Sequence, residues 1–516
     1  MPVPTTLYRG AVVQPSDRPQ AQALLVVDDR IGWAGSNADA ARHEDAADEV
    51  VDLDGALVTP AFVDAHAHTT ETGLALTGVD LTTATGVTDV LARVEDGAKR
   101  GSGPILGHGW DDRGWPERRP PTRHELDRAG GGRPVYLARV DVHSAVVSSA
   151  LAERHGLADL PGWSDDGRVE RDAHHAARAL TRDQLGPADR RRLQGVALEA
   201  AAQAGIGCLH EMSAPHIAPP ADLRELLTLA GATHRAARWP GVPDVVGYRG
   251  ELVGNDADVR RVLGELDLAA AHELSGLAGD LCVDGSVGSR TAAMRTPYAD
   301  AASCGHTYLS AEQVRDHVVA CTRAGLRGGF HVIGDAAVQV VSTGLRAAAA
   351  VVGAPAMRAA RHRLEHVELA DAGAIATLAE LGVTASVQPA FDAAWGGPSN
   401  MYAERLGAER ALAMNPLGDL ALAGVPLAFG SDSPVTPFDP WAGVSAAVWH
   451  HNPLQRMGVD AAFAAHTGGC RLVPGAPATY AVWTGAPGLP ELAATGSRPR
   501  CARTVVRGRI AFDALR

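Results

Sequence analysis

Lysine is almost absent from this sequence. Lys99 is the only lysine among 516 residues, and every other basic side chain except histidine is arginine. Whatever chemistry the protein performs, a lysine amine can contribute to it from this one position only.

Paired cysteines are also missing. No two of the cysteines have the CxxC spacing, so the sequence indicates neither a zinc knuckle nor a disulfide scaffold. No apolar stretch reaches membrane-spanning length, and the first residues lack the basic segment and apolar run of a signal peptide. We therefore expect a cytoplasmic protein with no membrane contact. The six cysteines are Cys208, Cys282, Cys304, Cys321, Cys470 and Cys501.

Basic residues are fewer than acidic ones. The chain has 47 Lys and Arg against 60 Asp and Glu, a formal net charge of −13. Since phosphate binding needs a positive field, a nucleic-acid partner is disfavoured. A hydrophobic content of 46% is typical of globular proteins and allows a large core. We expect a small-molecule substrate as the partner, and the sequence leaves a homodimer open.

Both ends of the chain show the pattern of short β-strands. Near the N-terminus, two apolar runs flank Asp28-Asp29-Arg30, which is a hairpin signal. Segments from opposite ends can pair if the body between them closes on itself, so we predict a β-sandwich domain from residues 1–57 and 470–516. The predicted strands cover residues 23–27, 31–34, 50–53, 56–58, 480–483, 504–506 and 509–512.

The middle of the chain repeats one unit: a short apolar run that ends in polar residues, followed by a helical stretch. From His210 to Asp432, 222 residues hold six such units of about 37 residues each, a length that suits one βα unit of a TIM barrel. We therefore predict an α/β fold with a (β/α)₈ TIM-like barrel over residues 58–469. The predicted strand ends are His66/His68, His210, Tyr248, Asp284, His331, His366, Gln388 and Asp432.

The step from the first strand to the second is much longer than the others. From His68 to His210 the chain runs 142 residues, about a hundred more than one βα unit needs. We therefore predict a large insertion after the first barrel strand, over about residues 70–190. Loops at that end of a barrel lie over the active site, so the insertion is expected to cover the barrel mouth.

The strongest local signal for chemistry is Phe62-Val-Asp-Ala-His66-Ala-His68. Alternation in a strand sends both histidines to one face, where the two imidazoles can bind one metal ion. His331 and His366 are 35 residues apart, one unit, and Asp432 lies 66 residues further on, close to two units. Residues at whole-unit spacing converge at one barrel mouth. Each of them alone fits a core histidine or a helix-capping aspartate, but together they predict a metal site.

Several motifs make the resemblance to a known family specific. Besides the histidines above, these are Asp284-Gly-Ser-Val-Gly-Ser-Arg290, His331-Val-Ile-Gly-Asp335, Arg363-Leu-Glu-His366, Ser386-Val-Gln388-Pro and Gly430-Ser-Asp432-Ser-Pro. Framed by β segments at both termini, the sequence resembles the amidohydrolase superfamily, and more narrowly its amidohydrolase-3, YtcJ-like branch. The resemblance extends from about residue 5 to the C-terminus. It implies a metal-dependent hydrolase with His66, His68, His331, His366 and Asp432 as metal ligands.

One position departs from the family pattern. The resemblance places a carboxylated lysine, which bridges two metal ions, four residues before Asp284, and this chain has Asp280 there. Either Asp280 or Glu211 substitutes as a shorter carboxylate bridge, or the site holds one ion. We expect one divalent ion, with two as the alternative, and zinc as the metal, with iron or manganese as alternatives.

The residue types suggest a mechanism. An ion held by imidazoles and a carboxylate lowers the pKa of bound water from about 16 towards 7. Asp432 is the expected general base, which passes the proton of the water to the leaving nitrogen. His366 would bind a second ion or polarise the substrate carbonyl. Asp335 is expected either to support the fifth strand or to cap the next helix.

Other polar and aromatic residues are candidates for contact with substrate. The insertion offers His108, Trp110 and His143. The barrel offers Gln388 and Arg290, and the guanidinium of Arg290 suits a substrate carboxylate.

The leading hypothesis is hydrolysis of a non-peptide C–N bond in an amide, formamide, carbamate or related group. Deamination of a heterocyclic amine at a single metal ion is the enzymatic alternative. Deaminases of the superfamily carry a glutamate three residues after the fifth-strand histidine, whereas this chain has Gly334 there. The third hypothesis is a catalytically silent barrel that only binds a ligand.

Overall fold

A computed structural model describes residues 3–18, 20–101, 103–153, 156–182, 185–235, 241–268, 274–485, 488–489 and 498–515 of the chain.

Eight parallel strands form one sheet whose order follows the chain. The first and last strands approach each other, and the backbone N–H of His68 donates to the Ser433 carbonyl at 2.9 Å. The sheet is thus a nearly closed barrel, as predicted. Its strands are Phe62–Ala67, Ile206–Ser213, Asp244–Arg249, Leu274–Leu277, Arg327–Val332, Arg363–His366, Thr384–Val387 and Leu427–Phe429.

Helices follow the barrel strands and pack around the sheet. The helix before the second barrel strand spans Pro187–Gln203, and Gly205 follows it with φ of +78°, a conformation that commonly ends a helix. The helices from this point on are Pro187–Gln203, Pro220–Arg235, Asp256–Leu266, Ala311–Arg323, Asp335–Val352, Ala354–Ala360, Ala372–Leu381, Pro389–Trp395, Met401–Leu406, Ala408–Leu412, Leu417–Leu422, Pro440–Val448 and Val459–Thr467, with a 3₁₀ turn at Pro453–Gln455.

The predicted end of the fourth strand was wrong. The strand ends at Leu277, seven residues before Asp284. The buried Asp284 carboxylate instead accepts hydrogen bonds from the backbone N–H groups of Ala293, Ile333 and Gly334. Asp284 therefore ties the loop after the fourth strand to the end of the fifth, and Asp280 lies closer to the barrel mouth.

Between the first and second barrel strands the chain builds a separate five-stranded sheet with hydrophobic clusters of its own. Its strands are Val79–Asp80, Ile105–Trp110, Val135–Arg139, Ser144–Val147 and Arg168–Glu170. Its helices are Thr69–Thr77, Val87–Lys99, Arg123–Ala129, Ser149–Ala152 and Arg171–Arg182, with a 3₁₀ turn at Leu157–Asp159.

The two ends of the chain meet in a pair of β-sheets around one apolar cluster. The predicted hairpin forms, and Leu57–Pro60 pairs with Tyr480–Thr484, which joins the N-terminal segment to the C-terminal one. One sheet holds Thr6–Arg9, Ala23–Val27, Arg30–Gly35 and Glu49–Asp52, and the other holds Val12–Val13, Leu57–Pro60, Tyr480–Thr484, Arg500–Val506 and Arg509–Asp513. The short helices Asn37–Ala40 and Ala41–Ala46 connect two of these strands.

One helix of the described residues, Asp335–Val352, is long and apolar enough to cross a membrane by length and composition alone. No such stretch was expected from the sequence. The buried face of this helix, which includes Val338, Val341 and Leu345, belongs to the hydrophobic core around the barrel.

The contact between Gly205 and the buried Trp483 ring provides a test of the packing between the barrel and the β domain. A Cβ at residue 205 would lie 2.1 Å from the indole ring. The substitution Gly205→Ala should lower the free energy of unfolding by about 2–4 kcal/mol, since it adds left-handed strain to overpacking. Guanidinium denaturation measures this value.

Gly195→Ala is the matched control, because Gly195 lies inside the preceding helix with open space beside it. It should stabilise the protein by about 0.5–1 kcal/mol. Equal effects of the two substitutions would contradict the packing described for Gly205.

Candidate metal centre

Six buried side chains converge at the carboxyl end of the barrel. Two lie at the end of the first strand, two at the ends of the fifth and sixth strands, and two in the loops after the fourth and eighth strands. They are His66, His68, His331, His366, Asp280 and Asp432. The structure thus brings together every residue that the sequence analysis proposed as a metal ligand, except the alternative Glu211.

Both carboxylates contact the His66/His68 pair. Asp432 Oδ1 lies 3.4 Å from His66 Nε2 and 3.2 Å from His68 Nε2. Asp280 Oδ1 lies 3.4 Å from His66 Nε2, and its Oδ2 lies 3.2 Å from His68 Nε2. Asp280 Oδ1 is also 3.8 Å from His331 Nδ1 and 4.0 Å from His366 Nε2. Asp280 therefore lies between the two histidine pairs.

The electrostatics of the cluster keep both aspartates ionised. Burial opposes ionisation of Asp280, but its electrostatic interactions with His66, His331 and His68 outweigh it and hold its pKa well below the usual range. Asp432 shows the same balance, and its pKa is also lowered. Two largely buried carboxylates are thus held as anions.

The donor set fits a divalent cation. His66 Nε2 and Asp280 Oδ1 are buried and have no hydrogen-bond partner among the described residues, although such atoms are costly to leave unpaired. The candidate ligand atoms of His66, His68 and Asp432 lie within 4.8 Å of one another, as do those of His66, Asp280 and His366. Imidazole nitrogens and carboxylate oxygens at this separation can hold zinc or a related ion.

Glu211 does not belong to this cluster. Its carboxylate accepts hydrogen bonds from the Thr69 backbone N–H at 2.7 Å and from the Thr69 hydroxyl at 2.6 Å. Burial raises the pKa of Glu211 to about 7. Of the two candidates for the missing lysine, only Asp280 lies among the histidines, and the alternative Glu211 is wrong.

Two of the six residues adopt left-handed backbone conformations. His366 has φ of +71° and Asp432 has φ of +55°, values that are unusual for residues other than glycine. Strand alternation places Glu365 and His366 on opposite faces, so the change of backbone direction is what allows both side chains to face the barrel. Strain of this kind is concentrated at functional sites.

A buried Arg–Glu ion pair fixes the orientation of the His66 ring through its Nδ1 atom. Glu365 Oε2 accepts a hydrogen bond from His66 Nδ1 at 2.9 Å, which leaves the Nε2 lone pair free for an ion. Arg363 donates to both oxygens of Glu365, at 2.5 and 2.8 Å. Arg363 in turn donates to the Ala65 carbonyl, Ser386 Oγ and His210 Nδ1. The Arg-Leu-Glu-His motif is visible in the sequence, but no role for Glu365 or Arg363 was predicted from it.

His366 is held in a similar way by Gln388. His366 Nδ1 donates to Gln388 Oε1 at 2.8 Å, and burial lowers the pKa of His366 to about 3. The ring is therefore neutral, with its Nε2 lone pair directed to the cluster. Gln388 does not line the cavity, so the prediction that it binds substrate is corrected to a role in orienting His366.

The cluster lies at the base of a cavity that encloses about 730 Å³, including its opening to solvent. The insertion contributes His143 to the lining, as the sequence analysis predicted for a residue near substrate. The rings of His143 and His331 are 5.3 Å apart. Burial lowers the pKa of His143 to about 4, so it faces the cavity as a neutral imidazole.

Four other predicted residues lie away from the cavity lining. Trp110 is buried in the insertion core and donates its indole N–H to the Leu137 carbonyl, and Arg290 forms an ion pair with Asp300 at 2.6 Å. Both predictions of substrate contact are corrected, because Trp110 joins two strands of the insertion and Arg290 forms its ion pair within the loop after the fourth strand. His108 contacts the Pro434 carbonyl, and Asp335 begins a helix and accepts the Arg295 backbone N–H.

A nearly closed parallel barrel with this His/Asp cluster at its strand ends is the architecture of a metal-dependent hydrolase. The chain belongs to the amidohydrolase family, whose model matches residues 49–511. The sequence-based assignment to this family is therefore confirmed.

Known proteins similar to this chain agree with that assignment. Bacillus subtilis YtcJ, named as an amidohydrolase, is 24% identical over 421 residues, covering 80% of this chain and 76% of YtcJ. The N-substituted formamide deformylase of Arthrobacter pascens is 25% identical over 471 residues, covering 84% and 82%. The crystal structure of a metal-dependent hydrolase from Pyrococcus horikoshii is 25% identical, with a TM-score of 0.73 and coverage of 94% and 98%.

The contact of Glu365 with His66 can be tested through metal affinity. Glu365→Gln removes the charge that orients His66 and should weaken zinc binding by about 10- to 100-fold. Competition with a chromogenic chelator measures this change. The exposed Glu380→Gln is the matched control. Unchanged zinc affinity in a folded Glu365→Gln protein would contradict the role of Glu365.

Proposed function

We propose that this protein hydrolyses a non-peptide C–N bond, in an amide, formamide, carbamate or related group, with zinc as its metal. The observation that carries the proposal is the convergence of four imidazoles and two ionised aspartates at the base of one cavity. The family and the formamide deformylase among its relatives support the bond class. A divalent ion bound by these residues would supply the Lewis acidity that makes water a nucleophile at neutral pH.

Asp432 is the general base in this proposal. Its carboxylate lines the cavity and contacts His66 and His68. Its backbone N–H donates to the His66 carbonyl at 2.7 Å, which fixes the carboxylate relative to the first strand. From this position Asp432 takes a proton from water and delivers it to the leaving nitrogen.

His366 acts as a ligand rather than as a donor to the substrate carbonyl. Its Nδ1 proton is engaged by Gln388, and its lowered pKa keeps Nε2 unprotonated. A neutral ring in this tautomer has no proton to donate toward the cavity.

One ion is favoured over two. Both groups of candidate ligand atoms include His66, whose Nδ1 is taken by Glu365. Nε2 of His66 can therefore bind an ion in only one of these groups at a time. Asp280 contacts both histidine pairs, so a second ion on His331 and His366 is the alternative that metal counting tests.

Metal content and activity test the proposal together. Purified protein should contain about one equivalent of zinc, as expected for a site with imidazole and carboxylate ligands. Chelation should abolish hydrolysis of an N-formyl or N-acyl amine, and added zinc should restore it. Well under one equivalent of any divalent metal would favour the silent barrel. Ammonia release from nucleobase analogues without amide hydrolysis would favour the deaminase.

The role of Asp432 has its own test. Asp432→Asn keeps the size of the side chain but removes the base, so kcat should fall by about 10²- to 10⁴-fold. The exposed Asp460→Asn is the control and should keep wild-type kcat. Zinc content is measured for both variants, since a loss confined to metal binding would identify Asp432 as a ligand only.

A further inference from the structure

The cavity above the cluster has two kinds of lining. Residues that follow the seventh and eighth barrel strands give it an apolar part, whereas the insertion and the loops after the second and fourth strands give it a polar part. The apolar residues include Phe391, Trp395, Met401, Tyr402 and Val435. The polar residues include His174, His175, Arg178, His216 and Cys282.

The apolar part is built on aromatic rings. Phe391 stacks on the ring of His366, with centroids 6.1 Å apart and planes 10° apart. Trp395 packs against Phe391 at 4.8 Å and against Tyr402 at 6.4 Å. These rings therefore place an apolar surface directly beside the His/Asp cluster.

Arg178 brings positive charge to the polar part. It shares one carboxylate with Arg182: Glu71 lies 3.3 Å from Arg178, while Arg182 donates to both Glu71 oxygens, at 2.8 and 2.5 Å. Among the described residues, Glu71 is the one carboxylate within 4.0 Å of Arg178. The neighbouring Asp222 forms its own ion pair with Arg190, at 3.1 Å. Two guanidinium groups and one carboxylate leave one net positive charge.

That charge is buried beside neutral groups. Arg178 is only 6% exposed. Burial lowers the pKa of His175, and it lowers the pKa values of His174 and His216 well below the usual range. These imidazoles are therefore polar but uncharged at neutral pH. A buried guanidinium that shares its carboxylate with a second arginine and faces a cavity is stabilised when an anion binds there.

We propose that the substrate is an anionic N-formyl or N-acyl amine, whose carboxylate binds Arg178 and whose apolar side group lies on the Phe391–Tyr402 surface. This inference rests on the proposed function, because it concerns the substrate that the same site binds. The imidazoles of His175 and His216 offer further hydrogen bonds beside the carboxylate. N-formylphenylalanine has all three groups: a formamide, a carboxylate and an aromatic ring.

A matched pair of probes tests the charge. N-formylphenylalanine and N-(2-phenylethyl)formamide differ only by the carboxylate. The zinc-loaded wild-type protein should have a kcat/KM at least about tenfold higher for the anionic compound, as expected for a hydrogen bond between charged groups. In Arg178→Gln this preference should fall by about 10- to 100-fold, and Arg178→Lys should restore part of it.

Arg171→Gln is the control on the same helix. It removes one positive charge from a side chain that does not line the cavity, so the preference should stay at the wild-type value. Thermal denaturation and zinc content of each variant show that the comparison is made on folded, loaded protein. Equal kcat/KM for the two probes in wild type, or an unchanged preference in folded Arg178→Gln, overturns the inference.

Direct binding separates this inference from the proposed function. Calorimetry with 3-phenylpropanoate and 3-phenylpropan-1-ol requires no turnover. If neither formamide is hydrolysed, binding of the anion in wild type but not in Arg178→Gln still supports the anionic subsite while the proposed function fails. Binding of the two compounds with equal affinity, or anion binding that survives in Arg178→Gln, overturns the subsite.

Discussion

The contact of Asp280 with four imidazoles is the constraint on which the rest of the site depends. Its largely buried carboxylate lies 3.2–4.0 Å from nitrogens of His66, His68, His331 and His366. One oxygen of Asp280 and one nitrogen of His66 face each other without a hydrogen bond. Such an arrangement is costly in an apolar interior, and a bound cation removes that cost.

The fold and the main ligands could be predicted from the sequence because they follow from regular spacing. Strands about 37 residues apart in a closed parallel sheet bring their carboxyl ends together, so His331, His366 and Asp432 meet the His66/His68 pair. Asp280 was identified by the family resemblance, as the residue four positions before Asp284, and not by the 37-residue spacing of the barrel units. The fourth strand itself was placed too far along the chain, because its motif follows the strand after a loop.

The remaining features of the site depend on tertiary contacts that leave no local pattern in the sequence. His66 and Glu365 are 299 residues apart in sequence and still form a hydrogen bond. The left-handed backbone of His366 breaks the alternation on which strand predictions rely. Arg290 has the side chain expected for binding an anion, but it pairs with Asp300, whereas Arg178 in the predicted insertion lines the cavity. Only the tertiary structure distinguishes these two arginines.

The barrel and the insertion therefore contribute different properties to one cavity. The barrel supplies every residue of the His/Asp cluster, and its backbone hydrogen bonds and the Arg363–Glu365 pair hold those residues rigidly. The insertion has its own sheet and apolar clusters and contributes none of these ligands. No residue of the insertion helix Arg171–Arg182 belongs to the cluster, so substitutions there can change the charge of the cavity while every ligand is retained. We infer that the barrel carries the chemistry, whereas the insertion and the barrel loops together select the substrate.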